Sequence, residues 1–194
     1  MANHFITIVS GLPRSGTSLM MQMLAAGGVP LLTDGQRPAD PHNPRGYFEL
    51  EAVKHSRTQL AWLAQAEGKA VKVVHLLLPH LPADREYRVI FMLRDLAEVI
   101  ASQRTMLQQQ GRLGAALPDS KLAEIFGKQL AEVQQWLSRQ PSFRVLQVQH
   151  REVIEGPLAA AQPIAAFLNG AVDPQRMATA VDPKLHRQRQ ESAP

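Results

Sequence analysis

The sequence predicts an α/β fold, a central parallel sheet covered by helices, in one domain over residues 1–194. Three observations predict it. Apolar runs of strand length fall within 6–9, 70–78, 88–93 and 143–148, and the third shows no alternation, as expected of a strand buried on both faces. Helical segments of ten or more residues alternate with the strands, the arrangement that joins parallel strands by crossovers. The first run breaks into a basic turn bracketed by glycine, Gly11-Leu-Pro-Arg-Ser-Gly16, directly ahead of a helix. A turn of that kind leaves the free amide groups of the helix start facing an anion.

Ile6, Ile8 and Val9 make the first strand, and Leu19, Met20, Met23 and Leu24 recur at helical spacing behind the turn. That helix should begin near Ser15 to Thr17 and stop at Gly27-Gly28. The stretch 29–46 is rich in Pro, Gly, Asp and Asn and has no period; at about 18 residues it exceeds a plain connection and reads as a lid or binding segment. From Leu50 a polar helix is expected to about Gln65, on Val53, Leu60 and Leu63. The first half of 70–78 is β-branched and reads as a buried strand, with Pro79 and Pro82 ending the segment. Strand 88–93 carries Arg94 and Asp95 at its C-terminal tip. On the next helix Leu96, Val99, Ile100, Met106 and Leu107 form one stripe, with Ser102 beside it and able to face a ligand. After a flexible 111–118, Asp119 or Ser120 is expected to cap a helix running to about Arg139, with Leu122, Ile125, Phe126, Leu130, Val133 and Leu137 toward the core. A strand at 143–148, a helix at 158–168 ended by Asn169-Gly170, and a basic tail from Asp173 complete the chain. Trp62 and Trp136 sit in helical patterns and read as packing residues. Because ligands of such sheets lie beyond the carboxyl ends of the strands, the Gly11 turn, His75 and Arg94 should share one rim.

A hydrophobic fraction of 45% and a charged fraction of 20% are those of an ordinary globular protein. The net charge of +4 favours an anionic ligand, and because the basic residues are dispersed, nucleic acid is not expected. The absence of cysteine excludes disulfides, cysteine-bound zinc and thiol catalysis. Histidines occur without His-x-x-x-His or His-Glu pairing, so no metal site is expected. No apolar run approaches the roughly 20 residues that span a bilayer, and no secretion signal opens the chain, so a cytoplasmic protein is expected.

The spacing of Gly11 and Gly16 is that of a nucleotide-triphosphate P-loop, but Thr17 stands where that motif requires lysine, and Arg14 is the only cation of the turn. Pro13-Arg14-Ser15-Gly16-Thr17 resembles instead the loop with which PAPS-dependent sulfotransferases of the short bacterial type hold the 5′-phosphosulfate of 3′-phosphoadenosine 5′-phosphosulfate (PAPS). Arg94 at a strand tip and Ser102 eight residues on are the second point of resemblance, since such a pair holds the 3′-phosphate in that family. A guanidinium fork and a hydroxyl donor suit a phosphate, at roughly 1.5–3 and about 1 kcal/mol. The resemblance implies a P-loop NTPase-like three-layer fold, sulfonate transfer to a hydroxyl or amine, PAPS as cosubstrate and no metal. It makes Pro13, Arg14, Ser15, Gly16, Thr17 and Ser18 the 5′ cradle. Residues 143–167 resemble the family's late strand and helix, and 181–189 loosely its C-terminal end, where Arg187 is a candidate cofactor contact.

Sulfonate transfer needs cations where charge builds on the leaving phosphate, and a base near the attacking oxygen. Arg14 suits the first role. For the base, one branch of the family has a glutamate after the first helix, matched here by Glu49. Another has a lysine and a histidine two apart, against which Lys72 and His75 lie three apart. One residue reverses the side of a strand, so Glu49 is preferred. Two other readings stay open. One is a P-loop nucleotide or small-molecule kinase, with Asp95 on magnesium and Arg94 or Arg104 as phosphate clamps. The other is a non-catalytic module that binds PAPS or a nucleotide. The acceptor, a small molecule or a glycan, has no readable code in 29–60, and in so short a chain a homodimer is one way to complete its pocket.

Overall fold

The computed structural model describes residues 4–40, 43–112, 114 and 116–182. Four parallel strands, β1 (Ile6–Gly11), β2 (Ala70–Lys72), β3 (Tyr87–Leu93) and β4 (Phe143–Gln149), lie in the order β2-β1-β3-β4. Ile8 pairs with Val71 on one side and Val89 on the other, and Val89 pairs in turn with Val145. All four strands point the same way, so the turn after β1, Arg94 after β3 and His150 after β4 emerge along one edge. Among the described residues seven helices accompany them: α1 (Thr17–Ala26), α2 (Glu51–Lys54), α3 (Leu96–Gln109), α4 (Asp119–Leu137), α5 (His150–Glu155), α6 (Pro157–Phe167) and α7 (Pro174–Thr179). Two 3-10 segments, Ala61–Gln65 and His75–His80, flank β2.

Alternate strand residues supply two cores, which makes the molecule three layers deep. Val9, Ile90, Met92 and Val148 face α1, α6 and α7, where Met20, Met23, Ile164 and Met177 are buried. Ile8, Val71, Val89 and Phe91 face Val133 and Leu137 of α4 and Trp62 and Leu78 of the 3-10 segments. Arg88 of β3 stitches the first layer to the sheet. Its Nη1 donates to the Phe167 carbonyl at the end of α6 and to Asn169 Oδ1 at 2.7 Å, with the guanidinium 4.0 Å from the Phe5 ring centroid. The outer edge of β2 is also closed: Leu32 N–H donates to the Ala70 carbonyl and Ala70 N–H to the Pro30 carbonyl, both at 2.8 Å.

The elements depart from the sequence expectation in four places. The helix expected from Leu50 to Gln65 is split into α2 and the 3-10 segment at 61–65. Between them, in 54–59, only Ser56 is buried, so no apolar stripe draws that stretch onto the sheet as helix. Ser56 donates to the Val53 carbonyl and accepts from Trp62 Nε1 instead. Neither Asp119 nor Ser120 caps α4: Pro118 occupies the cap position, and Arg104 Nε claims the Asp119 carboxylate at 2.6 Å. On the expected core face of α4 only Val133 and Leu137 are buried, while Leu122, Ile125, Phe126 and Leu130 are half-buried. The stretch from Asp173 begins as a helix rather than a tail, because the Asp173 side chain accepts from the amides of Gln175 and Arg176. Arg187 lies outside the described residues. Both tryptophans pack as expected, Trp62 within the core and Trp136 edge-on to Phe143.

Candidate functional site

The turn after β1 can form only with glycine at both ends. Gly11 has φ +146°, and a Cβ there would lie 2.6 Å from the Met92 carbonyl oxygen; at Gly16, φ +99°, it would lie 2.5 Å from His150 Cδ2. Arg14 between them also adopts positive φ, at 76°, and Ser15 N–H closes the turn on the Leu12 carbonyl at 3.1 Å. Gly16 then stands at the cap position of α1 and brings no side chain to its amides, and no acid lies in the first turn. Ser15 Oγ is buried without a hydrogen-bond partner among the described residues. A helix start with free amides and a bracketing basic turn suits a phosphate or sulfate oxygen.

Two cations gather on this turn. Arg14 Nε donates to Ser102 Oγ at 2.9 Å, and Arg94 Nη1 donates to the Arg14 carbonyl at 3.1 Å. Ser102 is therefore buried against the turn, held by Arg14. Arg94 also pairs with Glu98 one helical turn on, Nε to Oε2 at 2.8 Å, so it braces α3 and the turn together. Burial lowers the Arg14 guanidinium below its ordinary pKa; Tyr47 and Asp40 oppose this, while Arg94 and Arg37 add to it. An anion reaching the turn would meet the guanidinium groups of Arg14 and Arg94.

The described residues of 29–50 fold over the start of α1. Asn43 Nδ2 and Lys72 Nζ donate to Ser18 Oγ at 2.8 and 3.1 Å, and Lys72 also donates to the Tyr47 carbonyl at 3.1 Å. Glu49 Oε1 receives two cations, Arg37 Nη1 at 3.0 Å and Lys72 Nζ at 3.6 Å. The Arg37 guanidinium lies 3.3 Å from the Tyr47 ring centroid, and Tyr47 Oη donates to Asp40 Oδ2 at 2.7 Å. Burial lowers the Lys72 ammonium to about 8, with Glu49 opposing. Burial and the bond to Asp40 raise the Tyr47 phenol. On the far side Arg45 reaches the Ala180 carbonyl at 2.5 Å and Asp182 at 3.7 Å, which fastens this stretch to the C-terminal layer.

An open cavity of about 380 Å³ takes in Pro13, Arg14, Gly16, Thr17 and Ser18 of the cradle, Arg94, and both Glu49 and Lys72, whereas Ser15 and Ser102 are buried outside its lining. Two of the three residues that the sequence offers for the base, Glu49 and Lys72, thus touch each other. His75 does not join them. It is buried outside the cavity lining with Nε2 3.3 Å from Gln129 Oε1 of α4, and burial lowers its imidazole, opposed by Gln129 and the Gly11 backbone. Asp95 also stays out of the cavity: its carboxylate accepts from Glu98 N–H at 3.0 Å and caps α3. Arg37, Asn43, Tyr47 and His150 line the cavity and were not singled out from sequence. Arg37 and Asn43 lie in the unusually long stretch already marked as a lid and Tyr47 directly follows it, and His150 could have been found from its place at the tip of a parallel strand.

Residues 6–185 match the sulfotransferase domain family. The chain belongs to that family. Solved structures agree on the fold. The sulfotransferase domain of the Synechococcus PCC 7002 olefin synthase matches all of this chain over 90% of its own length, with TM-score 0.56 and 18% identity. A sulfotransferase domain from the curacin biosynthetic pathway matches all of this chain over 94% of its own, with TM-score 0.52 and 16% identity. Retinol dehydratase, solved with androsterone and the inactive cofactor PAP, covers 90% of this chain with 62% of its own, at TM-score 0.51 and 16% identity. No curated protein sequence matches the chain. This sulfotransferase domain has the P-loop NTPase-like α/β architecture of those neighbours, and its membership supports a sulfonate-transferring activity. Among the described residues no helix is long and apolar enough to cross a membrane.

Proposed function

We propose that this sulfotransferase moves the sulfonate group of PAPS to a hydroxyl or amine of a small acceptor. The observation that carries the reading is that Arg14, Arg94 and Ser102, though 80 and 88 residues apart, meet at one uncapped helix start. The residues present fit PAPS: the glycines leave the turn open, Ser15 Oγ is a buried polar atom without a hydrogen-bond partner among the described residues, and Arg14 and Arg94 meet at the turn. The amides of 16–18 with Thr17 and Ser18 would hold the 5′-phosphosulfate, and Arg94 with Ser102 the 3′-phosphate. When bound, PAPS supplies an activated sulfonate and leaves as adenosine 3′,5′-bisphosphate. Arg187, beyond the described residues, stays in the proposal as a further contact to the cofactor.

The chain's own groups divide the work. Arg14 passes from the neutral Ser102 hydroxyl to an anion, which strengthens as charge builds on the leaving phosphate. Glu49, fixed by Arg37 and Lys72 on one oxygen, faces the cavity and accepts the acceptor proton. Lys72 holds Ser18 and Glu49 in a common frame. Because a sulfonate carries one negative charge where a terminal phosphoryl carries about two, the transfer makes less demand on a divalent cation. Calorimetry with adenosine 3′,5′-bisphosphate tests the reading: it should bind, and Arg94→Ala should weaken it by roughly 10- to 100-fold. Silence at millimolar ligand would end the proposal.

A further inference from the structure

Helix α3 grips the turn after β1 through three side chains, of which only Arg94 and Ser102 have a part in the reading above. Ser102 accepts from the Arg14 side chain, and Arg94 Nη1 donates to the Arg14 carbonyl. The third is Gln103, whose Nε2 donates to the Pro13 carbonyl at 3.1 Å. Pro13 and Arg14 line the cavity and Gln103 does not, so Gln103 acts on the turn rather than on a ligand.

The carbonyl it holds lies beside the strained residue of the turn. Between Gly11 and Gly16, Arg14 alone has positive φ, at 76°, a conformation that persists in a residue with a side chain only where the surroundings impose it. The carbonyls of Leu12 and Gly16 are taken by backbone amides, those of Ser15 and Met20. The two carbonyls that bracket Arg14, of Pro13 and of Arg14 itself, are held instead from α3, by Gln103 and Arg94. A trans peptide points its C=O and its N–H in opposite directions, so drawing the Pro13 carbonyl toward α3 turns the Arg14 N–H away from that helix. Once released, this peptide can rotate by about half a turn, which relieves the positive φ of Arg14 and sets a carbonyl dipole where an amide stood. Resting on the reading of this turn as the 5′ cradle, we propose that Gln103 is a positioning residue for the cofactor's 5′-phosphate: it keeps the Pro13–Arg14 peptide turned so that the anion meets an amide and not a carbonyl.

The full chain is first titrated with adenosine 3′,5′-bisphosphate by calorimetry; a wild type that takes none overturns the sulfotransferase reading beneath. Adenosine 5′-monophosphate and adenosine 3′-monophosphate are then each made to compete with the bisphosphate. Gln103→Met, similar in length but without a donor, should weaken the 5′-monophosphate roughly 3- to 10-fold and leave the 3′-monophosphate within about twofold of wild type, with the urea midpoint unchanged. Gln103→Arg restores a donor and should return the ratio of the two affinities toward that of the wild type; reading the ratio removes the pull of the added charge on both nucleotides. Equal loss on the two nucleotides in Gln103→Met would make the contact merely structural and overturn the inference. An unchanged ratio in Gln103→Met, or a ratio that Gln103→Arg does not restore, overturns it as well.

Discussion

Lys72 sits almost enclosed between Ser18, Tyr47 and Glu49, and burial brings its ammonium from 10.5 to about 8. A lysine whose pKa falls on folding costs stability while it is charged. Below about 8 that cost is present in full; above it the folded chain sheds the proton before the unfolded chain does, so stability rises with pH toward 10.5. The wild type should therefore gain on a Lys72→Met variant between about pH 8 and about pH 10, read as the difference in their urea midpoints. A gap that does not change with pH would mean the ammonium keeps its ordinary affinity for protons. The same residue shows the reach of the sequence. Glu49 and Lys72 were legible as chemistry-bearing positions, but a strand end and a loop 23 residues earlier give no sign that they share a contact. Arg37 was less legible still, because its partners, a ring and a carboxylate within its own loop, exist only once that loop has folded.

Among the elements, α3 depends on its first residue. Asp95 accepts from the Glu98 amide, and the helix it starts carries Ser102 to the turn and Glu98 to Arg94. Removing the cap with Asp95→Ala should cost about 1 kcal/mol in urea unfolding, whereas Asp95→Asn, which keeps an acceptor oxygen, should cost only a few tenths. A magnesium carboxylate would behave otherwise, since Asp95→Asn would then abolish metal-dependent binding while leaving stability in place. Strands and long helices were readable because burial of their apolar faces leaves a period in the sequence. Where burial is scarce the period fails, as in 54–59, and the expected helix dissolves into turns. Caps fail for a related reason: a side chain such as Asp119 can be claimed by a distant partner, Arg104, whose approach only the tertiary structure decides.

For the molecule as a whole, the strand order places the tips of β1, β3 and β4 side by side, which gathers a site from segments more than a hundred residues apart. That the tips would line up was legible from the alternation of strands and helices; that 29–50 would lie across them was not, since side chains rather than periodic backbone pairing hold it. Few of its amides bond to backbone: Val29 to Leu24, Leu32 to Ala70, Asp34 to Glu49, Asn43 to Asp40 and Gly46 to Asn43 among the described residues. By contrast β3 is paired along both sides. In hydrogen exchange the amides of 33–50 should therefore exchange well before those of 87–93, and slow when adenosine bisphosphate is added. Equal rates in the two regions would show that the cover is part of the cooperative core. The pairing of residues 30–32 with Ala70 has a separate effect. A bare margin of sheet invites a neighbouring molecule to add a strand of its own, the first step of self-association. Here one margin has been hemmed by the chain itself, and the opposite margin carries the exposed Arg144, so crowded copies meet backbone already spoken for on one side and charge on the other.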